Sequence, residues 1–129
     1  MKIFLAKLYN QQYEDIKIEV RHTAEQRYKP DLLATNLQGE ALFWGECGEV
    51  SLEKILYLMS RYRQTHLCFA KWNIKATLFE QTIDTTMQKL KKSRHAPLDF
   101  INFKDEDRAY IDAQGNVLID WNNLYFRRW

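Results

Sequence analysis

Between Glu40 and Lys71 the apolar period of the chain changes twice, and this change constrains the fold more than any other feature. Glu40 to Cys47, with Leu42, Phe43 and Trp44 at its centre, reads as a strand that Gly48 ends. Ser51 is placed to cap a helix. Leu52, Ile55, Leu56, Met59 and Tyr62 then recur at helical spacing, which predicts an amphipathic helix over 52–64. His66 to Lys71 is again a short apolar strand. Strand, helix and strand in this order form a right-handed parallel crossover. The chain therefore needs a sheet with at least one parallel pair.

The flanking segments extend that sheet. Lys2 to Tyr9 is apolar and weakly alternating, which predicts a strand. Ile16, Ile18 and Val20 alternate with Lys17, Glu19 and Arg21 as in a half-buried strand, and Asn10-Gln11-Gln12 would join the two in a hairpin. Residues 22–28 are polar and read as a loop. Pro30 opens a short apolar stretch from Asp31 to Thr35, and Asn36 to Gly39 reads as a turn. A second helix carries Ile74, Leu78, Phe79, Ile83, Met87 and Leu90 and ends near Lys92, with Pro97 barring continuation. Leu98 to Phe103 reads as an alternating strand. Tyr110-Ile111 and Val117-Leu118-Ile119 flank Ala113-Gln114-Gly115-Asn116 as a hairpin. The expected class is α/β: a mixed β-sheet with two main helices and a C-terminal β-hairpin, in one domain over residues 1–129.

Composition agrees with one ordered domain. Hydrophobic residues make up 46% and charged residues 28%, with only four Gly and two Pro. No apolar run reaches the roughly 20 residues of a membrane span, and Lys7 interrupts Ile3-Phe4-Leu5-Ala6 too early for a signal peptide's apolar core. Cys47 and Cys68 are too few for a disulfide scaffold and read as free thiols of a cytoplasmic protein. The tail from Trp121 to Trp129 holds two Trp, one Tyr and one Phe. Such a tail must dock either on the body of the domain or on a second copy, as in a homodimer.

Charge is uneven. The net charge is +2, yet the segment from Arg61 to Arg94 carries eight basic residues against two acids. That segment is thus +6 and the remainder −4. Arg61, Arg63, Lys71, Lys75, Lys89, Lys91 and Lys92 are the candidates for attracting nucleic-acid phosphates. The plainer account is a solvated helix face whose terminal cations suit its dipole.

The sharpest chemical feature is Pro30-Asp31 followed by Glu46 near the end of the next strand. Two carboxylates meeting at the mouth of a sheet repel each other, and either a basic neighbour or a divalent cation resolves this. Mg²⁺ takes oxygen ligands, so Asp31, Glu46 and the backbone carbonyl of Cys47 are the candidate metal ligands. His22, His66 and His95 are scattered, without zinc-type spacing. Dinucleotide, P-loop and α/β-hydrolase signatures are absent. Trp44, Tyr57, Tyr62 and Trp72 are better explained by packing than by base stacking.

Pro30-Asp31, then Glu46-Cys47-Gly48, a helix and a short strand resemble the core of the PD-(D/E)XK, or restriction-endonuclease-like, fold. The chain is more closely similar to the YaeQ family. That likeness runs through Trp44-Gly45-Glu46-Cys47-Gly48, Glu53-Lys54-Ile55, Ser60-Arg61-Tyr62-Arg63-Gln64 and the hairpin Ile111 to Ile119, roughly residues 28–121. The resemblance implies a Mg²⁺-dependent nuclease-type domain with Asp31, Glu46 and a lysine as catalytic residues. It departs from the pattern at Gly48, where the catalytic lysine is expected, and before Pro30, where the core usually begins with a helix. Lys54 and Lys29 are the nearest substitutes for the lysine. An apolar face through Leu52, Leu56 and Met59 would turn Lys54 outward, to the side opposite the strands. The missing lysine favours a member that binds nucleic acid or a protein without cutting, and the aromatic tail favours a structural or oligomeric partner domain.

Overall fold

The computed structural model describes residues 1–20, 27–104 and 110–129. Three α-helices are formed by Lys2–Tyr9 (α1), Leu52–Arg61 (α2) and Ala76–Lys89 (α3). Six strands, Lys17–Ile18 (β1), Leu32–Thr35 (β2), Ala41–Cys47 (β3), His66–Trp72 (β4), Leu98–Phe103 (β5) and Tyr125–Arg128 (β6), form one sheet whose spatial order follows chain order. β3, β4 and β5 are parallel, and the outer pairs are antiparallel. Both connections within the parallel part are helical, as parallel pairing demands.

Each face of the sheet has its own core. Phe4, Leu5, Leu8 and Tyr9 of α1 pack on Leu32, Phe43, Cys68, Ala70, Ile101 and Phe103. Ile55, Leu58 and Met59 of α2 and Ile83 of α3 pack on Leu33, Trp44, Leu67 and Phe69. Neighbouring residues along β2, β3 and β4 alternate between the two cores, as the two-residue period of a strand requires. Gly45 allows α1 to approach, since a Cβ there would lie 3.1 Å from Leu5 Cδ2 and 3.2 Å from Leu32 Cβ. All six residues of β5 are buried. This strand is covered on both faces and does not alternate inside and outside as expected.

Several expectations are corrected. Lys2–Tyr9 is a helix, not a strand, because its buried residues fall at positions 4, 5, 8 and 9, one helical face. The first hairpin therefore does not exist, and β1 pairs with β2 instead. β1 is only two residues long and both are exposed, so it is not the half-buried strand expected over 16–20. Most of the polar loop expected over 22–28 lies outside the described residues. The helix expected over 52–64 stops at Arg61, and its buried face runs through Ile55, Leu58 and Met59, while Leu52 and Leu56 stay exposed. The late hairpin is reduced to an isolated bridge, Ile111 to Val117, outside the main sheet. The aromatic tail forms β6 against β5, with Trp129 exchanging backbone hydrogen bonds with Leu98 at 2.9 and 3.2 Å. Its docking partner is the body of the same chain, so the tail supplies no reason for a second copy. Among the described residues the class is a mixed α/β sheet with three α-helices rather than two.

Candidate active site at the ends of the parallel strands

Gly48 takes a left-handed conformation (φ +87°) where β3 stops, which turns the chain toward α2. Ser51 caps that helix by accepting from the Lys54 amide, as expected. These turns set Glu46, Cys47 and the first turn of α2 around one end of the sheet. Asp31, just before β2, joins them because its amide donates to the Gly45 carbonyl across the strand pair at 3.1 Å.

Glu46 is buried, 5% exposed. Its Oε1 accepts from Trp44 Nε1 at 2.8 Å and its Oε2 accepts from Lys54 Nζ at 2.8 Å. Burial raises its pKa, the Lys54 and Trp44 hydrogen bonds oppose that rise, and the charge of Asp31 adds to it. Asp31 Oδ2 accepts from the Cys47 amide at 2.8 Å, and Lys2 Nζ lies 3.1 Å from Oδ1. Lys2 also pairs with Glu19, which Lys29 approaches at 3.3 Å. On β4, Lys71 Nζ donates to the Gly48 carbonyl and lies over the Phe79 ring. Burial lowers the Lys71 pKa, while Glu49 and Glu46 hold it up.

Lys54 thus pairs with Glu46, while Asp31 has its own basic neighbour, Lys2. The position of Lys54 corrects the expectation that it points away from the strands. It stands one turn before the buried Leu58, on the inward face, because the stripe drawn through Leu52 and Leu56 was placed about one residue off. Lys29 reaches Glu19 rather than either acid of the pair. Cys47 contributes its amide to Asp31. Burial, with Asp31 adding, pushes its thiol up to about 12, so no thiolate forms there near neutrality. Lys2 and the indole of Trp44 were not foreseen. Lys2 could have been found only by recognising the helical spacing of Phe4, Leu5, Leu8 and Tyr9.

The basic residues divide. Lys71 and Lys75, the latter at the start of α3, share the end that holds the acids. Arg61, Arg63, Lys89, Lys91 and Lys92 stand at or beyond the C-terminal ends of α2 and α3, at the opposite end of the sheet. Ten residues of α2 at about 1.5 Å each put roughly 15 Å between the groups. Arg63 is tied to the Ser93 carbonyl at 2.9 Å and to His95 at 3.2 Å. Trp44, Tyr62, Tyr57 and Tyr28 form a chain of ring contacts, and Trp72 stacks on Phe103, as packing predicted.

A second polar cluster lies at the opposite end from the acids. Asp99, fully buried on β5, accepts from Tyr9 Oη at 2.5 Å and from Arg128 Nε and a terminal guanidinium nitrogen at 2.7 and 2.9 Å. His66 Nε2 is 2.6 Å from Asp99 Oδ2, and Tyr13 Oη is 2.7 Å from His66 Nδ1. Burial pushes the Asp99 pKa up, but the hydrogen bonds from Arg128, His66 and Tyr9 outweigh it and hold the carboxyl below its usual range. This cluster ties α1 and β6 to the middle of the sheet.

Among the described residues no three His, Cys, Asp or Glu side chains converge as a ready-made metal cage. No helix among them is long and apolar enough to cross a membrane. No protein-family model matches the chain, and no curated protein matches it. Solved structures resemble it, two YaeQ proteins among them. The YaeQ protein of Xanthomonas axonopodis pv. citri superposes with a TM-score of 0.51 and 11% identity, covering 81% of this chain and 54% of that one. The YaeQ protein of Pseudomonas syringae superposes with a TM-score of 0.49 and 14% identity, covering 79% and 52%. The chain spans about half the length of either structure. The likeness to the Xanthomonas protein, at 11% identity, is one of architecture alone: the chain has a YaeQ-like fold.

Proposed function

We propose that the chain is a nuclease-type domain of the PD-(D/E)XK kind that acts on nucleic-acid phosphodiesters with Mg²⁺. The observation that carries this reading is the Lys54 ammonium, 2.8 Å from the buried Glu46, with Asp31 hydrogen-bonded to the neighbouring Cys47 amide. Lys54 would then replace the lysine missing at Gly48. The donors, two carboxylates and the Cys47 carbonyl, are the hard oxygens that Mg²⁺ prefers. When bound, Mg²⁺ would lower the pKa of a coordinated water and offset charge on a phosphoryl oxygen. The protein's own contribution is positional. Trp44 fixes one oxygen of Glu46, the Cys47 amide fixes one of Asp31, and Lys2 and Lys54 hold the remaining two. Those two lysine tips, together with Lys71 and Lys75, give a phosphate a cationic approach.

Magnesium titration by calorimetry, paired with cleavage of duplex DNA and structured RNA, tests the reading. Asp31→Ala and Glu46→Gln should each remove Mg²⁺ binding and lower cleavage by about 100-fold or more. Lys54→Met should spare Mg²⁺ binding and lower cleavage alone. No heat of binding and no cleavage would overturn the reading.

One observation favours a second reading, a domain that binds without cutting: all four carboxylate oxygens of Asp31 and Glu46 already have partners. Under it, the pairs close the end of the sheet, and duplex binding falls steeply with salt while the phosphodiesters stay intact.

A further inference from the structure

We propose that the groove between α2 and α3 docks an acidic amphipathic helix from a protein partner. The sequence writes an apolar face on α2 that is wider than the core covers. Leu52 and Leu56 stay 61% and 46% exposed, and Leu78 of α3, across from them, is 70% exposed. They line a cavity of about 330 Å³ with Thr82, Thr86 and Lys89. The two threonines donate their hydroxyls to carbonyls of their own helix, Thr82 to Leu78 and Thr86 to Thr82, at 3.0 and 2.7 Å. Those bonds occupy two hydroxyls of a lining that also includes Gln81 and Thr85. The cavity adjoins a second one of about 440 Å³ that shares Leu56 and Lys89 and ends at Leu90, Lys91 and Lys92.

Charge at that end selects the occupant. Lys89, Lys91 and Lys92 are exposed, and no carboxylate among the described residues pairs with them. The acids of α3, Glu80 and Asp84, are turned toward β6, where Arg127 holds both. An apolar floor with a cationic end complements a helix with leucine-type anchors and carboxylates at one terminus. The groove runs between helices and offers no strand edge, so an occupant must satisfy its own backbone, as a helix does. Both α2 and α3 run from the acid end of the sheet to the lysine end. An incoming helix with its acidic first turn at the lysines lies antiparallel to them, its carboxylates facing the lysines and also offsetting the positive end of its own dipole. The assignment is independent of any chemistry at Asp31 and Glu46, and it gives Lys89, Lys91 and Lys92 a role at the end of the sheet remote from those acids.

The test uses the full chain and a fluorescein-labelled model peptide of about 18 residues, with glutamates in its first turn and leucines three and four residues apart along one face. Anisotropy should give a micromolar Kd, with helix induced in the peptide by circular dichroism. Leu56→Glu and, separately, Leu78→Glu should weaken binding about 10-fold or more. Lys89→Glu/Lys91→Glu/Lys92→Glu should weaken it several-fold and flatten its salt dependence. Both leucines are exposed, so an unchanged far-ultraviolet spectrum will show that the variants fold. Equal binding of a scrambled peptide, or indifference to both leucine variants, would overturn the proposal. So would concentration-dependent dimerisation abolished by Leu56→Glu, which would make a second copy the occupant. Duplex DNA binding that is lost in the lysine variant and kept in both leucine variants, with no peptide binding, would make the lysines a nucleic-acid contact instead.

Discussion

Asp99→Asn should be the most damaging single-atom change in this chain. The carboxylate is fully buried and accepts from Tyr9, from His66 and twice from Arg128. Asparagine keeps one acceptor oxygen and sets an amide NH₂ among groups that are themselves donors. The Arg128 pair loses its opposite charge, and Tyr9 and His66 lose a buried acceptor. Two buried donors left unpaired cost about 1–3 kcal/mol each, and the lost pairing of the half-exposed Arg128 adds up to about 1 kcal/mol, a large share of the roughly 5–15 kcal/mol that holds a domain together. With a urea m-value of about 1–3 kcal/mol/M, the unfolding midpoint should fall by at least about 0.7 M. The acid limb provides a second readout. The folded-state pKa of Asp99 lies below its ordinary 3.8, so its contribution is fully present above that value and is lost as pH falls through the folded value. In Asp99→Asn that part of the acid limb should disappear. A midpoint within about 0.3 M of the parent, measured by both fluorescence and circular dichroism, would refute the reasoning.

Three smaller effects should accompany it. Ser51→Ala removes the acceptor for the Lys54 amide and should cost about 1 kcal/mol by urea unfolding. Gly45→Ala forces a methyl against Leu5 and Leu32 and should cost about 1–3 kcal/mol, with Leu5→Ala partly rescuing it in a double-mutant cycle. Native Cys47 and Cys68 should both resist iodoacetamide at pH 8, because burial holds both thiols protonated, and should react fully once the chain is unfolded, as counted by mass spectrometry.

The parallel core was legible because its signals are local. The apolar block around Trp44, the Ser51 cap and the helical recurrence through Ile55 and Met59 each mark an element within a few residues. What failed was choosing between periods in short apolar runs. Phe4, Leu5, Leu8 and Tyr9 fit a helix, yet Ile3 between Lys2 and Phe4 mimics an alternating strand, and only the structure shows Ile3 at 62% exposure. On α2, including the exposed Leu52 and Leu56 in the core stripe rotated the assigned face and turned Lys54 the wrong way. Asp31 and Glu46 were legible as a pair because they flank a single turn between adjacent strands. Asp99 and His66 were not, since they are 33 residues apart and meet only because β4 and β5 lie side by side.

Because strands follow one another across the sheet in the order of the chain, every pairing closes only the loop between consecutive strands. Assembly can therefore advance edgewise, with little entropy lost at any one closure. The exception is the first helix. Tyr9 meets Asp99 across 90 residues, so that contact can form only once the fifth strand is in place.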